Sequence, residues 1–506
     1  MTSAGALTHS TRIRVRYAPS PTGYLHAGGA RSCLFNWLFA RRHGGTFVLR
    51  IEDTDRTRFF RSSLTDTMES LHWLGLDWDE GPEVGGPYGP YMQSERLPLY
   101  QKYAQELIAS GHTYKCYCSA ERLRHLREEQ KAGISSRSFA SGHIGYDRRC
   151  RELTARQRAD LESAGIVPIV RLKVPLDGQT CFHDLIRGRI CMKNDQMDDF
   201  VLLKSDGFPT YHLANVVDDH AMEISHILRA DEWIPSTPRH ATMYDAFGWT
   251  PPLYAHLPVI LSPTGQGKMS KRKLLGADGR EYNVRVREFR SAGYLPEAMF
   301  NFLALVGWSY DGKTDLLTRE QIVQGFDLDH VSKSPAKFSY DKLDWMNGMY
   351  IRQLEADDLA ERIRPFFEGA GVTVDREMAR QITPLIRERM VKLTDCIALT
   401  DFFFVDRLEF DPQLLTQKGM TADQARQVLS ESHTILSSVA SFDQASLEPP
   451  LRAKAEELGL KARQFFGTLR IATTGKEVAP PLFGTMEILG REKVLARIAR
   501  ARALLQ

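Results

Sequence analysis

Long hydrophobic runs are missing from this sequence. No stretch approaches the roughly 18 uncharged apolar residues that a membrane-crossing helix needs. The opening MTSAGALTHSTRIRVRY also lacks the apolar core of a secretory leader, so a cytoplasmic protein without a membrane partner is expected. Cysteine is scarce, with seven in 506 residues at positions 33, 116, 118, 150, 181, 191 and 396. That is too sparse for a disulfide framework, and reduced thiols or a metal site are expected instead. An excess of charge of one sign is absent too. With 66 basic and 63 acidic residues the net charge is +3, which neither announces nor excludes a nucleic-acid partner, because local basic clusters can still bind phosphates. Repeats and low-complexity tracts are absent, and 42% apolar with 25% charged residues is ordinary for globular chains. The length suggests roughly three to five domains.

What is present is an alternation of strand-like and helix-like segments. The run Ile13–Tyr17 predicts a strand, the break Ala-Pro-Ser-Pro-Thr-Gly a loop, and the apolar-periodic stretch Leu25–Arg41 a helix. A second strand is expected at Thr46–Ile51, ending in the acidic cluster Glu52, Asp53 and Asp55, and a second helix from about Ser62 to Leu74. This order predicts a multidomain α/β protein with a doubly wound parallel sheet, whose ligands bind at the carboxyl ends of the strands. A cysteine- and arginine-rich stretch with short strand-like runs interrupts the pattern over 107–210 and reads as an inserted domain. The expected sheet halves are therefore 11–106 and 211–262. A segment containing the basic loop SPTGQGKMSKRK follows over 263–346, and an all-α region occupies 347–506.

Where a strand gives way to a helix, backbone N–H groups and the helix dipole make an anion site suited to ATP phosphates. In Pro19-Ser-Pro-Thr-Gly-Tyr-Leu-His26-Ala-Gly28-Gly29 the histidine falls near the helix start, and the glycines leave room for a flat adenine. About 240 residues downstream stands Lys268-Met269-Ser270-Lys271-Arg272, in a loop with Gly265 and Gly267 as hinges. Each segment alone reads equally as an ordinary loop. Together and in this order, HAGG and KMSKR resemble the HIGH and KMSKS signatures of class I aminoacyl-tRNA synthetases. The resemblance implies ATP binding at Pro19, Gly28, Gly29, Met269, Ser270, Lys271 and Arg272, with His26, Lys268 and Lys271 as catalytic residues. Mg²⁺ would share in neutralising the leaving pyrophosphate. Gly29 departs from the general motif's second histidine; a small residue here is usual in the glutamyl branch.

The segments RYAPSPTG, GGAR, FNWLFARR, FVLRIEDTD, RLKVP, YHLANVVDDH, RADEW and WMNGMYIR resemble bacterial-type glutamyl-tRNA synthetases along essentially the whole chain. This implies ATP-dependent activation of L-glutamate and its transfer to the 3′ terminal adenosine of tRNA(Glu), by a protein expected to be monomeric. It also implies a Rossmann-type catalytic domain, an inserted acceptor-stem-binding domain, a stem-contact region and a helical anticodon-binding region. Arg16, Ser20, Glu52, Tyr211, Asn215 and Arg229 carry over as glutamate-binding residues. Glutamate brings two carboxylates and one ammonium: Arg16 and Arg229 suit the former, Glu52 the latter, and Tyr211 and Asn215 the remaining oxygens. An arginine facing the side-chain carboxylate would reject glutamine, whose amide leaves a buried cation unpaired at a cost of about 1.5–3 kcal/mol. The alternatives are a non-discriminating enzyme that also loads glutamate onto tRNA(Gln), or a glutaminyl-tRNA synthetase, which the helical tail opposes.

Cys116, Cys118 and Cys150 could supply three thiolates to Zn²⁺, against the alternative of buried or free thiols. The fourth ligand is open between Glu152, which the resemblance suggests, and Tyr146. Candidate tRNA contacts are Arg171, Lys173, Lys333, Lys337, Arg387 and Arg389. The resemblance gives an arginine near the last two a part in choosing the anticodon, without deciding between them.

Overall fold

The structure is a computed structural model that describes residues 12–55, 60–132, 145–263, 267–269, 274–275 and 281–505. The chain forms two compact units, residues 1–289 with 299–340, and residues 290–298 with 341–506.

The first unit begins with β1 (Arg14–Tyr17), α1 (Ala27–Arg42), β2 (Thr46–Leu49) and α2 (Arg61–Trp73). β1 and β2 run parallel, with Arg16 opposite Val48. TFVL is buried throughout, as both faces of a covered parallel strand should be. α1 starts two residues later than its periodicity predicts, because Leu25 donates its N–H to Asp66 (2.9 Å) and His26 becomes the N-cap. Arg41 and Arg42 sit in its last turn, where the helix dipole favours cations. β2 stops at Leu49 rather than Ile51, since the Ile51 N–H bonds to the Tyr91 carbonyl at 2.9 Å and leaves the β1 ladder.

There follow α3 (Leu97–Ala109), β3 (Thr113–Cys116), α4 (Ala120–Lys131), α5 (Ala155–Ser163), β4 (Ile169–Leu172), β5 (Gln179–Asp184), β6 (Gly188–Lys193) and β7 (Val201–Leu203). After these come α6 (Tyr211–Ala221), β8 (His226–Ala230), α7 (Thr237–Phe247), β9 (Leu253–Leu257) and β10 (Ile260–Leu261). β3, β4 and β7 form an antiparallel sheet. A second sheet has the order β6-β5-β9-β8, with β8 and β9 parallel. The Ser225 N–H bonds to the Arg14 carbonyl at 2.9 Å, which sets the start of β8 beside β1. The expected parallel α/β sheet is therefore present. The β5–β6 hairpin, although it lies within 107–210, joins β9 through the Asp184–Tyr254 pair.

This hairpin also corrects the cysteine reading. Its register sets Cys181 directly opposite Cys191, and the two are joined as a disulfide. Cys33, Cys116, Cys118, Cys150 and Cys396 are free thiols.

The described part of the second unit is helical. Its helix Ala356–Gly369 turns Leu359, Ile363 and Phe367 inward at i, i+4 and i+8, and they bury with Ile382, Leu429, Leu469 and Ile498 in one core. Helix Ala422–Ser438 opens on a capping box between Thr421 and Gln424. Among the described residues, no helix is long and apolar enough to cross a membrane.

Candidate active site

The end of β1, the loop after it and the start of α1 form one wall of a cleft of about 210 Å³. His26, the N-cap, accepts through Nδ1 from the N–H groups of Gly28 (3.1 Å) and Gly29 (3.2 Å). Its proton therefore sits on Nε2. Gly29 has a steric reason: a Cβ there would stand 2.9 Å from the Tyr17 hydroxyl and 3.1 Å from Leu25. A second histidine would require the ends of both side chains to shift. Arg31, in the second turn of α1, also lines the cleft, with its guanidinium bonded to the carbonyls of Val306 and Pro258. Burial pushes it down to about 10, so it remains a cation at neutral pH.

The opposite wall comes from α6, β8 and the turn after it. Arg16, Pro19, His26, Gly28, Gly29, Glu52, Tyr211, Asn215, Arg229, Lys268 and Met269 all line this cleft. Ser20 lines a second cleft, which shares Glu52, Tyr211 and Trp233 with the first. Lys268 forms an ion pair with Glu232 at the cleft wall. Ser270, Lys271 and Arg272 lie outside the described residues.

Charges in the cleft are tightly linked. Glu52 accepts from Asn215 Nδ2 at 3.0 Å and from Arg50 Nη2 at 3.2 Å. Burial raises its carboxyl above the ordinary value, against the pull of Arg50, Arg16 and Asn215. Arg16 is already engaged, holding Asp219 through Nε (3.0 Å) and Nη2 (3.3 Å). Asp219 also takes Arg50 at 2.6 Å, while Asp218 is held by Arg96 (2.7 Å), Gln93 (2.9 Å) and Tyr100 (2.8 Å). Burial opposes the ionisation of Asp219, but Arg16 and Arg50 outweigh it and hold this carboxyl below its usual range.

Arg229 differs from these arginines. Only 6% exposed, it has neutral partners: Thr237 Oγ1 at 2.8 Å, His256 Nε2 at 3.2 Å and the Tyr211 hydroxyl at 3.4 Å. Among the described residues no carboxylate lies within ion-pair distance of it. Arg16, Arg50 and Arg96 are thus each paired with a carboxylate among Glu52, Asp218 and Asp219, whereas Arg229 is held by neutral groups alone. Sequence reasoning missed Arg50, Asp218 and Asp219 as parts of the site, although all three lie inside segments that carried the resemblance, RIEDTD and VVDDH.

Residues 12–345 match the family described as tRNA synthetases class I (E and Q), catalytic domain, and residues 358–502 match the anticodon binding domain. The chain is a class I tRNA synthetase of the E and Q family. The synthetase is 52% identical over 501 residues to a glutamate–tRNA ligase of Dehalococcoides mccartyi, covering 98% of each chain. It is 47% identical over 504 residues to one from Roseiflexus sp., covering 97% of each. A crystal structure of a glutamate tRNA ligase from Elizabethkingia meningosepticum in complex with its amino acid superposes with a TM-score of 0.87 at 34% identity, over 98% of the synthetase and 100% of that chain.

The synthetase also gathers its three candidate metal thiols. The sulfur atoms of Cys116, Cys118 and Cys150 lie within 4.8 Å of one another. The Tyr146 hydroxyl stands 3.4 Å from the Cys116 sulfur and 3.5 Å from the Cys118 sulfur, whereas Glu152 is exposed. Of the two candidate fourth ligands, the geometry favours Tyr146. Arg122 Nη1 donates to the Cys118 sulfur at 3.3 Å, an arrangement that suits thiolates.

One tRNA-contact expectation fails. Arg171 is 5% exposed, bonds to the Asp199 carbonyl at 2.7 Å and lies 3.9 Å from the centre of the Tyr146 ring, so it braces the cysteine cluster instead of facing solvent. Lys333, Lys337 and Arg389 are exposed, Lys173 is half-buried, and Arg387 is half-buried 3.8 Å from Glu388.

Proposed function

We propose that this synthetase activates L-glutamate with ATP to glutamyl-adenylate and transfers the glutamyl group to the 3′ terminal adenosine of tRNA(Glu). The observation that carries this reading is the buried guanidinium of Arg229, which lines the cleft and has only neutral hydrogen-bond partners. Glutamate brings a side-chain carboxylate to this cation, whereas glutamine brings a neutral amide that leaves it unpaired.

Arg229 takes one carboxylate, with Tyr211 beside it, and Glu52 takes the ammonium, whose arrival favours the ionised carboxylate. Arg16, Asn215 and Ser20 orient the remaining oxygens. The α-carboxylate oxygen attacks the α-phosphorus in line, the bond to the β-phosphate oxygen breaks, and pyrophosphate leaves. This step is governed by positioning and charge neutralisation. ATP lies along the start of α1, with its phosphates at the helix N-terminus near His26 Nε2 and its adenine over Gly28 and Gly29. Lys271 and Lys268 neutralise the pyrophosphate, for which Lys268 must exchange Glu232 for phosphate. Mg²⁺, a hard cation that prefers phosphate and water oxygens, would share with these lysines in neutralising the phosphate charge. A hydroxyl of the terminal adenosine, entering by the second cleft beside Ser20, Tyr211 and Trp233, then attacks the adenylate carbonyl and AMP leaves.

Cys116, Cys118, Cys150 and Tyr146 would hold Zn²⁺, which ties β3 to the segment before α5 as a structural clamp. On the same reading, 107–210 contacts the acceptor stem, 263–346 the stem region and 347–506 the anticodon, where exposed Arg389 is better placed than Arg387 to meet RNA. The test charges purified tRNA(Glu) and tRNA(Gln) with labelled glutamate and ATP. Charging of tRNA(Glu) alone supports the discriminating enzyme, equal rates on both support the non-discriminating reading, and no charging of either overturns the proposal.

A further inference from the structure

Asp184 and His256 lie beyond the residues that touch the cleft, yet their geometry is directed at it. Asp184, fully buried at the end of β5, accepts four hydrogen bonds: from the N–H groups of Ile186 (3.0 Å), Arg187 (2.8 Å) and His256 (2.9 Å), and from His256 Nδ1 (2.6 Å). An acid serving four donors is ionised, so His256 Nδ1 carries the proton. His256 Nε2 is then a bare lone pair, 3.2 Å from the Nε–H of Arg229. Thr237 has one hydroxyl proton to give, to the Trp233 carbonyl (3.1 Å) or to the His256 Nε2 lone pair (3.0 Å), and in either case its oxygen accepts from Arg229 Nη2 (2.8 Å).

The donor count on Arg229 is then closed. Nε–H is taken by His256, one hydrogen of Nη2 by Thr237 and one of Nη1 by Tyr211. Each terminal nitrogen keeps one N–H, which is the pair that a carboxylate takes in a bidentate fork. We propose that Asp184, His256 and Thr237 form a positioning chain that holds the Arg229 guanidinium in the one rotation presenting this pair to the cleft, and thereby sets the selectivity for glutamate over its neutral amide. The groups that touch Arg229 are neutral and the Asp184 carboxylate stands behind His256, so Arg229 is fixed in place with its fork open to a substrate carboxylate. This rests on the reading of Arg229 as a glutamate-binding residue.

The experiment measures steady-state aminoacylation at varied glutamate and, separately, varied ATP for His256→Leu, His256→Gln, Thr237→Val, Arg229→Lys and the double variant His256→Leu/Arg229→Lys. Melting curves on each serve as folding controls. His256→Leu and Thr237→Val should each raise the glutamate KM about tenfold, the size of one lost hydrogen bond to a charged group, with kcat and the ATP KM within about twofold of the parent. The preference for glutamate over glutamine should fall in step. His256→Gln, which restores an acceptor near Arg229 Nε, should recover most of the loss. In the Arg229→Lys background, His256→Leu should add less than about twofold, because its effect passes through the missing guanidinium. Glutamate KM values within about twofold of the parent for both His256→Leu and Thr237→Val, or additive losses in the double variant, overturn the positioning chain. Should His256→Leu not fold, Thr237→Val decides the matter alone. An unchanged glutamate KM in Arg229→Lys instead removes the underlying reading of the site.

Discussion

Replacing Arg50 with methionine tests the charge network where it is most concentrated. Arg50 is fully buried, and its guanidinium meets Asp219 at 2.6 Å, Glu52 at 3.2 Å and Asp218 at 3.7 Å. Methionine fills much of the same length without the charge. Losing one partner of a buried ion pair costs about 3–5 kcal/mol, because the remaining charges stay buried without compensation. For a cooperative unit of roughly 330 residues, an unfolding entropy of about 2.1 cal/mol/K per residue turns this cost into a drop in melting temperature of about 4–7 °C. The functional effect follows from Glu52, which burial raises and which Arg50, more than any other group, pulls back down. Without Arg50 the proton is held more tightly still. Glutamate needs the ionised form for its ammonium, so its KM is low above the Glu52 pKa and climbs as pH falls through it. In Arg50→Met that climb should begin at a higher pH than in the parent, while the ATP KM keeps its pH profile. The assay is aminoacylation at saturating ATP across the pH range, with thermal melting alongside. A glutamate KM profile that superimposes on the parent's, with a melting temperature within about 1 °C, refutes the network as drawn.

Further expectations concern other parts of the molecule. Carefully purified protein should contain about one zinc per chain, and Cys150→Ala should lose the metal and melt earlier; the absence of stoichiometric metal from the parent removes the site. Lys271→Ala should depress adenylate formation far more than glutamate binding, and an unchanged activation rate would take Lys271 out of the ATP site. His212 is pushed from 6.5 down to about 3, first by burial and then by Arg239 and Arg229. Between those values the unfolded chain binds a proton that the folded one refuses, so stability falls as pH falls, by up to about 1.4 kcal/mol per pH unit from this group. Urea unfolding of His212→Gln should show a flatter acid slope, and an identical slope contradicts the assignment.

Much of the catalytic half was legible because its signals are local. The alternation of RVRY and TFVL with an amphipathic helix predicts a parallel sheet, and the element ends moved by at most two residues. Those shifts came from contacts made far along the chain, Leu25 to Asp66 and Ile51 to Tyr91, which no local window contains. The residue types that touch a zwitterionic substrate were legible as well, but their division of labour was not. Arg16 and Arg229 look equivalent as isolated cations, and only the fold reveals that Asp219 already holds Arg16 while neutral groups hold Arg229. Cys181 and Cys191 were misread for the same reason, since ten residues of separation do not announce a hairpin register that sets them face to face. Arg171 looked like an RNA contact because its partners, the Tyr146 ring and the Asp199 carbonyl, lie about 25 and 28 residues away.

The account stands on a buried arginine, Arg229, whose partners are neutral and which the side-chain carboxylate of glutamate would pair. The most direct test compares kcat/KM for L-glutamate and L-glutamine in charging purified tRNA(Glu) at saturating ATP. An unpaired buried cation costs about 1.5–3 kcal/mol, so glutamate should be favoured by at least about tenfold and up to about a hundredfold or more. Glutamine charged as efficiently as glutamate, or no glutamate incorporated at all, contradicts the account.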